Sequence, residues 1–525
     1  MSADASNPVQ MIWFKRDLRL LDHAPLTQAR QQGPCVCLFV YEPELLNSPE
    51  FDPSHLVFIN EALAELERGL AQRGGKLITR HGDLPDVFES LYRECSFHAL
   101  WSHEETGNAI TYRRDLRVAE WCRSRRVTWQ EIPQTGVVRR LKSRDGWAKR
   151  WEQRMNQAIL PIPEELSLPA QLPHSCGILP AATLGLPFST KMDVPQGGES
   201  RAQSTLSSFL EERGVHYRSE MSSPLTGKKS CSRLSPYLAW GCLSMKTAHQ
   251  ATVKRVGELR GRVHEGLPVH RSWFGSLQSF SARLRWHCHF MQKLEDEPAL
   301  EFENMCRAYD GLREPHFNQD HFAAWCEGQT GYPMVDACMR SLLKTGWINF
   351  RMRAMLVSFA SNHLWLHWRP TAVFLARHFL DFEPGIHFSQ FQMQSGTTGI
   401  NTVRIYSPVK QVIDQDPNGI FIRQHVPELR NVPLGYLAEP HKMPRDLQKS
   451  VGCVVGRDYP APIVDHATAY RLARERLGAV RRKDQTRQAA KKVLVKHGSR
   501  KRLTTKAAPK HRSESKRQST EDLLL

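Results

Sequence analysis

Residues 329–356 read QTGYPMVDACMRSLLKTGWINFRMRAML, and this stretch predicts two apolar helical runs joined by a Lys-Thr-Gly break. The second run carries Arg351 and Arg353 at positions where its pattern turns towards the protein interior. A buried guanidinium needs a carboxylate or a bound anion beside it, because an unpaired buried charge is strongly destabilising. The stretch therefore predicts a charged site inside a helical domain.

The first 135 residues have a different rhythm, in which apolar strands and amphipathic helices alternate. Short apolar runs predict five strands, at residues 11–14, 36–41, 77–79, 99–101 and 127–132. Apolar residues at steps of three and four from Leu56 to Leu70 predict a helix after the second strand. This alternation predicts an α/β domain with a parallel, Rossmann-like sheet over residues 8–135. No Gly-x-Gly-x-x-Gly follows the first strand, so the dinucleotide fingerprint is absent.

The remaining chain divides into a linker, a helical domain and a basic tail. Residues 136–205 are rich in Pro, Gly and Ser, which predicts an interdomain linker. Residues 206–477 show helical patterns almost throughout, which predicts a large all-α domain. Residues 478–525 carry many Lys and Arg side chains and few apolar ones, which predicts a disordered tail. Such a tail is equally typical of a solvated surface segment and of a non-specific nucleic-acid arm.

Composition limits the partners and the compartment. The chain has 525 residues and a formal net charge of +18, which favours anionic partners. Its 12 cysteines form no Cys-x-x-Cys pair, which argues against a disulfide framework and favours a reducing compartment. We find no signal peptide and no apolar run long enough to cross a membrane. We therefore expect a cytoplasmic, monomeric protein.

Several short stretches have side chains suited to binding or catalysis, although each also has an ordinary interpretation. Ser-Cys-Ser-Arg-Leu-Ser at 230–235 precedes a helical run, so its hydroxyls suit either a helix cap or a phosphate site. The loop from Asp381 to His387 places acids either beside a buried arginine or at an exposed helix end. The histidines at 287–289 and at 363 and 367 lack a neighbouring Glu in the metalloprotease register, so we predict no metal site.

Taken together, six ordered segments resemble the cryptochrome/photolyase family. They are WFKRDLRLLDHAPL (13–26), SCSRLSPYLAWGCLS (230–244), EGQTGYPMVDACMR (327–340), TGWINFRMRAM (345–355), FIRQHVPELRNVP (421–433) and DYPAPIVDH (458–466). The resemblance covers roughly residues 11–470. It agrees with the α/β-plus-helical layout predicted above, which was inferred independently of it.

The resemblance implies that the helical domain binds FAD and contacts DNA, either as a damaged duplex or as a single strand. The implied cofactor contacts are Tyr217, Cys231, Ser232, Arg233, Leu234, Ser235, Arg353, Asp381, Phe382, Glu383 and His387. The implied DNA contacts are Arg283, Trp286, Arg351, Met393 and Arg404. Arg353 matches the arginine that pairs with the first acid of the flavin loop, Asp381. A folate or deazaflavin antenna in the N-terminal domain is a further implied chromophore.

The implied activity is light-driven repair of pyrimidine photolesions, as in a deoxyribodipyrimidine photo-lyase. In that family, a reduced flavin excited by light donates an electron to a pyrimidine dimer and takes it back after the bond splits. The residues implied in catalysis are His387 and a chain of aromatic electron donors, namely Trp325, Trp368 and Phe391.

Departures from the family pattern keep a second activity open. Arg283 stands where the family has a dimer-contacting Glu, and Met393 stands where it has a Trp. His387 replaces the usual Asn opposite flavin N5, and Phe391 replaces the flavin-proximal Trp of the electron-transfer chain. The alternative is therefore a cryptochrome-like blue-light photoreceptor with signalling rather than repair as its output.

Overall fold

A five-stranded parallel sheet forms the core of the N-terminal domain in the computed structural model, which describes residues 8–499. Its strands are β1 (Gln10–Phe14), β2 (Cys35–Tyr41), β3 (Leu77–His81), β4 (Ala99–His103) and β5 (Thr128–Ile132). They lie side by side in the order β3-β2-β1-β4-β5, and every neighbouring pair is parallel. All five predicted strands and the predicted sheet are confirmed.

Helices connect these strands and cover both faces of the sheet, as parallel crossovers require. They are α1 (Ala24–Ala29), α2 (Pro43–Leu46), α3 (Pro53–Ala71), α4 (Asp86–Cys95) and α5 (Ala109–Arg125). Side chains alternate between two cores, because successive strand residues point to opposite faces. Ile12 and Phe14 join one hydrophobic cluster with α3, whereas Met11 and Trp13 join another with α4 and α5.

The rest of the described chain is helical apart from its connecting segments. Its helices are α6 (Trp147–Met155), α7 (Glu199–Glu211), α8 (Tyr217–Glu220), α9 (Gly227–Ser230), α10 (Ser235–Ala239), α11 (Met245–His264), α12 (Ser272–Asp296), α13 (Gln319–Glu327), α14 (Pro333–Thr345), α15 (Phe350–Ser358), α16 (Trp368–His378), α17 (Pro384–Ser395), α18 (Pro408–Gln415), α19 (Ile420–His425), α20 (Arg445–Ser450), α21 (His466–Arg482) and α22 (Asp484–His497). A π-helical segment, Phe359–His363, continues α15. The predicted linker is mostly irregular, but it contains α6, whose Trp147 and Trp151 are buried.

The predicted disordered tail is wrong over α22. This helix packs against the end of α21, where Val493 joins a hydrophobic cluster with Leu477 and Val480. The prediction failed because the buried apolar side chains of residues 478–499, Val480 and Val493, are too few to outweigh the basic composition. With Leu477, they nevertheless suffice to dock a helix. The remainder of the predicted tail, residues 500–525, lies outside the described residues.

Residues 329–356 form α14, the break after it and most of α15, as the sequence predicts. Pro333 begins α14 with a preset φ, and Gly346 ends it in the left-handed conformation at φ +70°. Asn349 then precedes α15, and its side-chain amide donates to the carbonyls of Met221 (3.0 Å) and Ser222 (2.8 Å). These bonds orient the first turn of α15, which carries Arg351 and Arg353.

Contacts between the two domains fix the loop that follows α16. The Arg16 guanidinium lies 4.4 Å from the centre of the Trp240 ring and donates to the Phe382 carbonyl at 2.8 Å. Trp240 Nε1 donates to the Leu380 carbonyl at 2.9 Å. The loop at 380–383 is therefore held both by Arg16 of the N-terminal domain and by Trp240, the residue that follows α10.

All 12 cysteines are free thiols. Within residues 8–499, no helix is both long and apolar enough to span a bilayer. The predicted cytoplasmic location and monomeric state stay predictions.

A buried hydrogen-bond network joins Asp17 to two histidines at the carboxyl end of the sheet. One Asp17 oxygen accepts from His23 Nε2 (3.0 Å) and from His103 Nδ1 (2.7 Å), while His23 Nδ1 accepts from the Leu26 amide (3.1 Å). It is the one group in the described part of the chain whose His and Asp ligand atoms lie close enough together for a metal. Both histidines donate to the carboxylate, so a structural network explains the group without a metal.

This network predicts that the protein loses stability on mild acidification. Burial lowers the pKa of His103 from 6.5 to about 3. The unfolded state therefore takes up a proton that the folded state does not, and stability falls as pH decreases from about 6.5 towards 3. We expect wild-type protein to lose about 1–2 kcal/mol more unfolding free energy than His103→Gln between about pH 7 and pH 5. Urea unfolding at the two pH values measures this. His81→Gln, an exposed change at the end of β3, is the control and keeps the wild-type pH dependence. Equal pH dependence in His103→Gln and wild type would contradict the assignment.

Candidate functional site

A cavity of about 940 Å³ opens in the helical domain between α12, α15, α17 and the segment from α8 to α10. This volume is at the upper end of the range of about 300–1,000 Å³ that is usual for ligand sites. Most residues implied by the resemblance line it, namely Tyr217, Cys231, Ser232, Arg233, Ser235, Arg283, Trp286, Arg351, Arg353, Asp381, Phe382, Glu383, His387, Phe391, Met393 and Arg404. The structure thus brings together residues that are almost 190 positions apart in the sequence.

Three of the implied residues do not line the cavity. The Leu234 side chain is buried in a hydrophobic cluster, so only its main chain remains available for a cofactor contact. Trp325 and Trp368 are fully buried and do not line the cavity. Trp368 Nε1 donates to Asn304 at 2.8 Å, and its ring lies 6.5 Å from that of Phe388 on α17.

Arg353 and Asp381 form the ion pair that the sequence predicts. The guanidinium donates to both carboxylate oxygens, at 3.0 Å and 2.8 Å, and its Nε donates to the Ile348 carbonyl at 2.9 Å. Burial alone raises the pKa of Asp381, but Arg353 outweighs it and the pKa lies below its ordinary value. Asp381 is therefore held as an anion with a fixed orientation at the cavity wall.

Arg233 forms a second part of the wall, in which the guanidinium stacks on an aromatic ring instead of pairing with a carboxylate. Its backbone is left-handed at φ +62°, and its guanidinium stacks 3.8 Å from the centre of the Trp347 ring. Its Nη1 is buried and has no hydrogen-bond partner among residues 8–499. Burial lowers the pKa of Arg233 to about 10. An anionic group placed here would satisfy both the charge and the unpaired donor, which fits the phosphate contact that the resemblance implies.

Glu383 pairs with His287, a histidine whose role the sequence left open. The His287 Nε2 lies 2.7 Å from a Glu383 oxygen. Although burial lowers it, the pKa of His287 is raised to about 10 by the Glu383 carboxylate. His287 is therefore protonated, and this contact from α12 holds the Glu383 side chain in place.

His387 is neutral in the folded protein. Its Nε2 donates to the Ala372 carbonyl at 2.8 Å, and burial lowers its pKa to about 3. The hydrogen bond leaves Nδ1 as the acceptor nitrogen of this ring. The ring centre lies 4.5 Å from that of Phe391, which occupies the position implied for the flavin-proximal electron donor.

Cationic and aromatic side chains surround the outer part of the cavity. The Arg283 guanidinium lies 5.4 Å from the centre of the Phe350 ring. Arg351 lines the same wall, and its Nε is buried without a partner among the described residues. Arg404, Trp286 and Met393 complete this surface.

The sequence analysis did not predict two groups of residues that line the cavity. Lys293 and His289 lie on α12 beyond Trp286, and Leu494, His497, Gly498 and Ser499 form the end of α22 and the residues after it. The spacing of Trp286, Phe290 and Lys293 is four and three residues, so helical periodicity was the signal for Lys293. No local signal in the basic tail indicates that α22 reaches the cavity.

A much smaller cavity, of about 100 Å³, lies between the two domains, beside Phe14, Tyr41 and Glu42 of the N-terminal domain and Trp240 of the helical domain. This volume is below the roughly 300 Å³ at which ligand sites usually begin. A folate or deazaflavin at this position stays a prediction.

The Arg353–Asp381 pair predicts a large asymmetry between single and double substitutions. Arg353→Ala leaves a carboxylate buried and unpaired, so we expect the unfolding free energy to fall by about 3–5 kcal/mol. Arg353→Ala combined with Asp381→Asn removes the buried charge as well and should recover most of that loss. Urea unfolding of both variants measures this. As a control, Arg471→Ala breaks the exposed pair with Glu475 and should cost less than about 0.5 kcal/mol. A small loss in Arg353→Ala, similar to the control, would contradict the proposed role of the pair.

Comparison with known proteins identifies the family. The family model described as "FAD binding domain of DNA photolyase" matches residues 280–479, and the model described as "DNA photolyase" matches residues 10–157. A deoxyribodipyrimidine photo-lyase of Alkalihalophilus pseudofirmus is 26% identical over 485 residues, covering 88% of this chain and 96% of that protein. A cryptochrome DASH of Gloeobacter violaceus is 26% identical over 486 residues, covering 88% and 94%.

A solved structure has the same architecture. The bacterial class III photolyase from Agrobacterium tumefaciens superposes with a TM-score of 0.77 at 25% identity, covering 92% of this chain and 99% of that one. The two family models match most of the N-terminal domain and residues 280–479 of the helical domain. Arg353, Asp381 and His387 lie in the matched helical part, whereas the wall around Arg233 precedes it. The chain therefore belongs to the cryptochrome/photolyase family, and its helical domain is an FAD-binding domain.

Proposed function

We propose that this protein is a light-dependent DNA lyase of the deoxyribodipyrimidine photo-lyase type, which binds DNA and repairs pyrimidine photolesions. One observation carries the proposal. The residues suited to holding FAD and those suited to contacting DNA line a single cavity rather than two separate ones. A nucleotide that enters this cavity is therefore brought to the flavin.

The wall supports FAD at both of its ends. Arg233, Ser232 and Ser235 would hold the diphosphate, because a buried guanidinium and two hydroxyls supply the donors that phosphate oxygens accept. Asp381, fixed by Arg353, would accept from the flavin ring, and His387 would face it. Bound FAD supplies light-driven electron transfer, and the protein supplies position and electrostatics.

The outer surface supports DNA as the substrate. Arg283, Arg351 and Arg404 offer guanidinium groups to phosphates, which position a strand without reading its sequence. A damaged nucleotide must leave the stack to reach the cavity, at a cost of a few kcal/mol that is smallest for a distorted lesion. Trp286 offers an aromatic face on which an unstacked base can pack.

A cryptochrome-like photoreceptor is the second candidate. Two observations favour it. Phe391 replaces an oxidisable tryptophan beside His387, and the end of α22 forms part of the cavity wall, where it can respond to a change at the flavin. In this alternative, the output is a conformational signal from α22 rather than a repaired base.

The repair activity is testable directly. We expect FAD-loaded, reduced protein to split thymine dimers in an oligonucleotide under blue light and to do nothing in the dark. Arg351→Gln should weaken oligonucleotide binding while retaining FAD, because Arg351 lies on the cavity wall. Arg445→Gln, an exposed change on α20, should leave binding unchanged. Absence of repair by a protein that retains reduced FAD would favour the photoreceptor.

Phe391 predicts slow photoreduction of the bound flavin. A phenyl ring is much harder to oxidise than an indole, so we expect Phe391→Trp to accelerate light-driven reduction in the presence of a thiol. The rate is measured from flavin absorbance under continuous blue light. Phe302→Trp adds an indole at an exposed position and controls for tryptophan content. If Phe391→Trp and Phe302→Trp reduce at the wild-type rate, electrons reach the flavin by another route, and the role assigned to Phe391 is wrong.

A further inference from the structure

Lys293 is a buried cation whose charge no acid neutralises. Its residue is 4% exposed, it lines the 940 Å³ cavity, and no carboxylate of residues 8–499 forms an ion pair with it. Its ammonium group lies 4.8 Å from the centre of the Phe290 ring. Lysines are almost never this buried without a partner, so the position calls for an anion.

Two histidines lie beside Lys293 on the same part of the wall. His289 Nδ1 lies 3.0 Å from Arg144 Nη2, which can only donate, so Nε2 of His289 carries the proton and is a donor. His497, the last residue of α22, bonds Glu297 through Nε2 at 2.7 Å. Its Nδ1 is buried and has no partner among the described residues.

Among the described residues, the acids around this corner are paired with groups other than Lys293. Burial, together with the nearby Arg144, lowers the pKa of Lys293 from 10.5 to about 7. Burial likewise lowers the pKa of His289 to about 2. The nearby acids are occupied elsewhere, since Asp296 lies 3.9 Å from Arg144, and Glu297 bonds both His497 and Lys496.

The part of the wall formed by Lys293, His289 and His497 is separate from the part around Arg233. Arg283 lies beside Tyr217, in the part of the cavity near Arg233, and precedes Lys293 by ten residues on α12. An α-helix rises 1.5 Å per residue, so the two positions are about 15 Å apart along the helix.

We propose that Lys293, with His289 and His497, forms a phosphate-binding subsite at the α22 end of the cavity. The inference rests on the proposed function, because it assigns this subsite to the ligand that shares the cavity with FAD. A phosphate group suits it, because the Lys293 ammonium and Nε2 of His289 can donate to two different oxygens, while Nδ1 of His497 can accept from a phosphate hydroxyl. The phosphate comes either from a nucleic-acid strand that enters the cavity or from a free nucleotide.

The first test uses FAD-loaded protein and inorganic phosphate, with chloride to keep ionic strength constant. We expect calorimetry to show one saturable phosphate site. Lys293→Met should weaken it roughly tenfold to a hundredfold, the loss typical of a hydrogen bond to a charged group. Lys492→Met, an exposed lysine on α22, should leave it unchanged. Equal phosphate affinity in wild type and Lys293→Met overturns the proposal. Loss of flavin from the wild-type protein would instead count against the proposed function.

A second test separates a phosphate ligand from a purely structural role of Lys293. At about pH 8 an amine of pKa about 7 is roughly 90% neutral, and a bound anion raises its pKa, so binding should take up close to one proton. Calorimetry in two buffers of different ionisation enthalpy measures this uptake. Lys293→Arg should still bind phosphate but without uptake, because arginine stays charged. Uptake that persists in Lys293→Arg would place the proton on His497 and overturn the assignment to Lys293.

A competition experiment identifies the source of the phosphate. If a strand fills the subsite, inorganic phosphate should weaken binding of an oligothymidylate of about eight nucleotides, a usual length for single-strand sites, to wild type but not to Lys293→Met. If a free nucleotide fills it, thymidine monophosphate should compete with inorganic phosphate while oligothymidylate affinity stays unaffected. Both outcomes support the subsite. Failure of both probes to compete with inorganic phosphate at Lys293 would overturn it.

Discussion

The bidentate pair between Arg353 and Asp381 is the interaction on which the site depends. It joins α15 to the loop after α16, and that loop also receives hydrogen bonds from Arg16 and from Trp240. A single carboxylate is therefore positioned by three parts of the chain. A buried carboxylate without its cationic partner would strongly destabilise the fold, so folding requires the contact that positions Asp381 in the cavity wall.

The cavity wall also carries two basic side chains, Arg233 and Lys293, that form no ion pair with an acid of residues 8–499. Arg233 and Lys293 lie in different parts of the wall, and burial lowers the pKa of each. A buried cation without an acid destabilises the folded protein, and it persists where a ligand supplies the missing charge. The electrostatics of the wall thus suit phosphate-bearing ligands in two places.

Sequence reasoning predicted most of the fold, because the signals were long and periodic. The apolar run of β1 follows from burial on both faces of the sheet, and the three-and-four spacing of α3 follows from burial on one face of the helix. Both patterns are local in the sequence. The Arg353–Asp381 pair was predicted only through the family resemblance, since 28 residues separate the partners. The pairing of His287 with Glu383 was not predicted, because it depends on how α12 packs against α17.

The same limit explains what the sequence could not provide. The position of α22 depends on a few tertiary contacts, such as the one between Ala490 and Gly399, where a Cβ at the glycine would lie 3.2 Å from the alanine. Composition alone favours disorder there. Lys293 has the helical spacing of a cavity residue, but only the packed structure shows that no acid of residues 8–499 forms an ion pair with it.

The central claim is that FAD and a damaged nucleotide occupy one cavity. A crystal structure of the FAD-loaded protein with an oligonucleotide that contains a thymine dimer tests this most directly. The account predicts the diphosphate of FAD beside Arg233, the flavin beside Asp381, and the dimer in the same cavity near Trp286 and Met393. A dimer bound on another surface, with this cavity closed to it, would contradict the account.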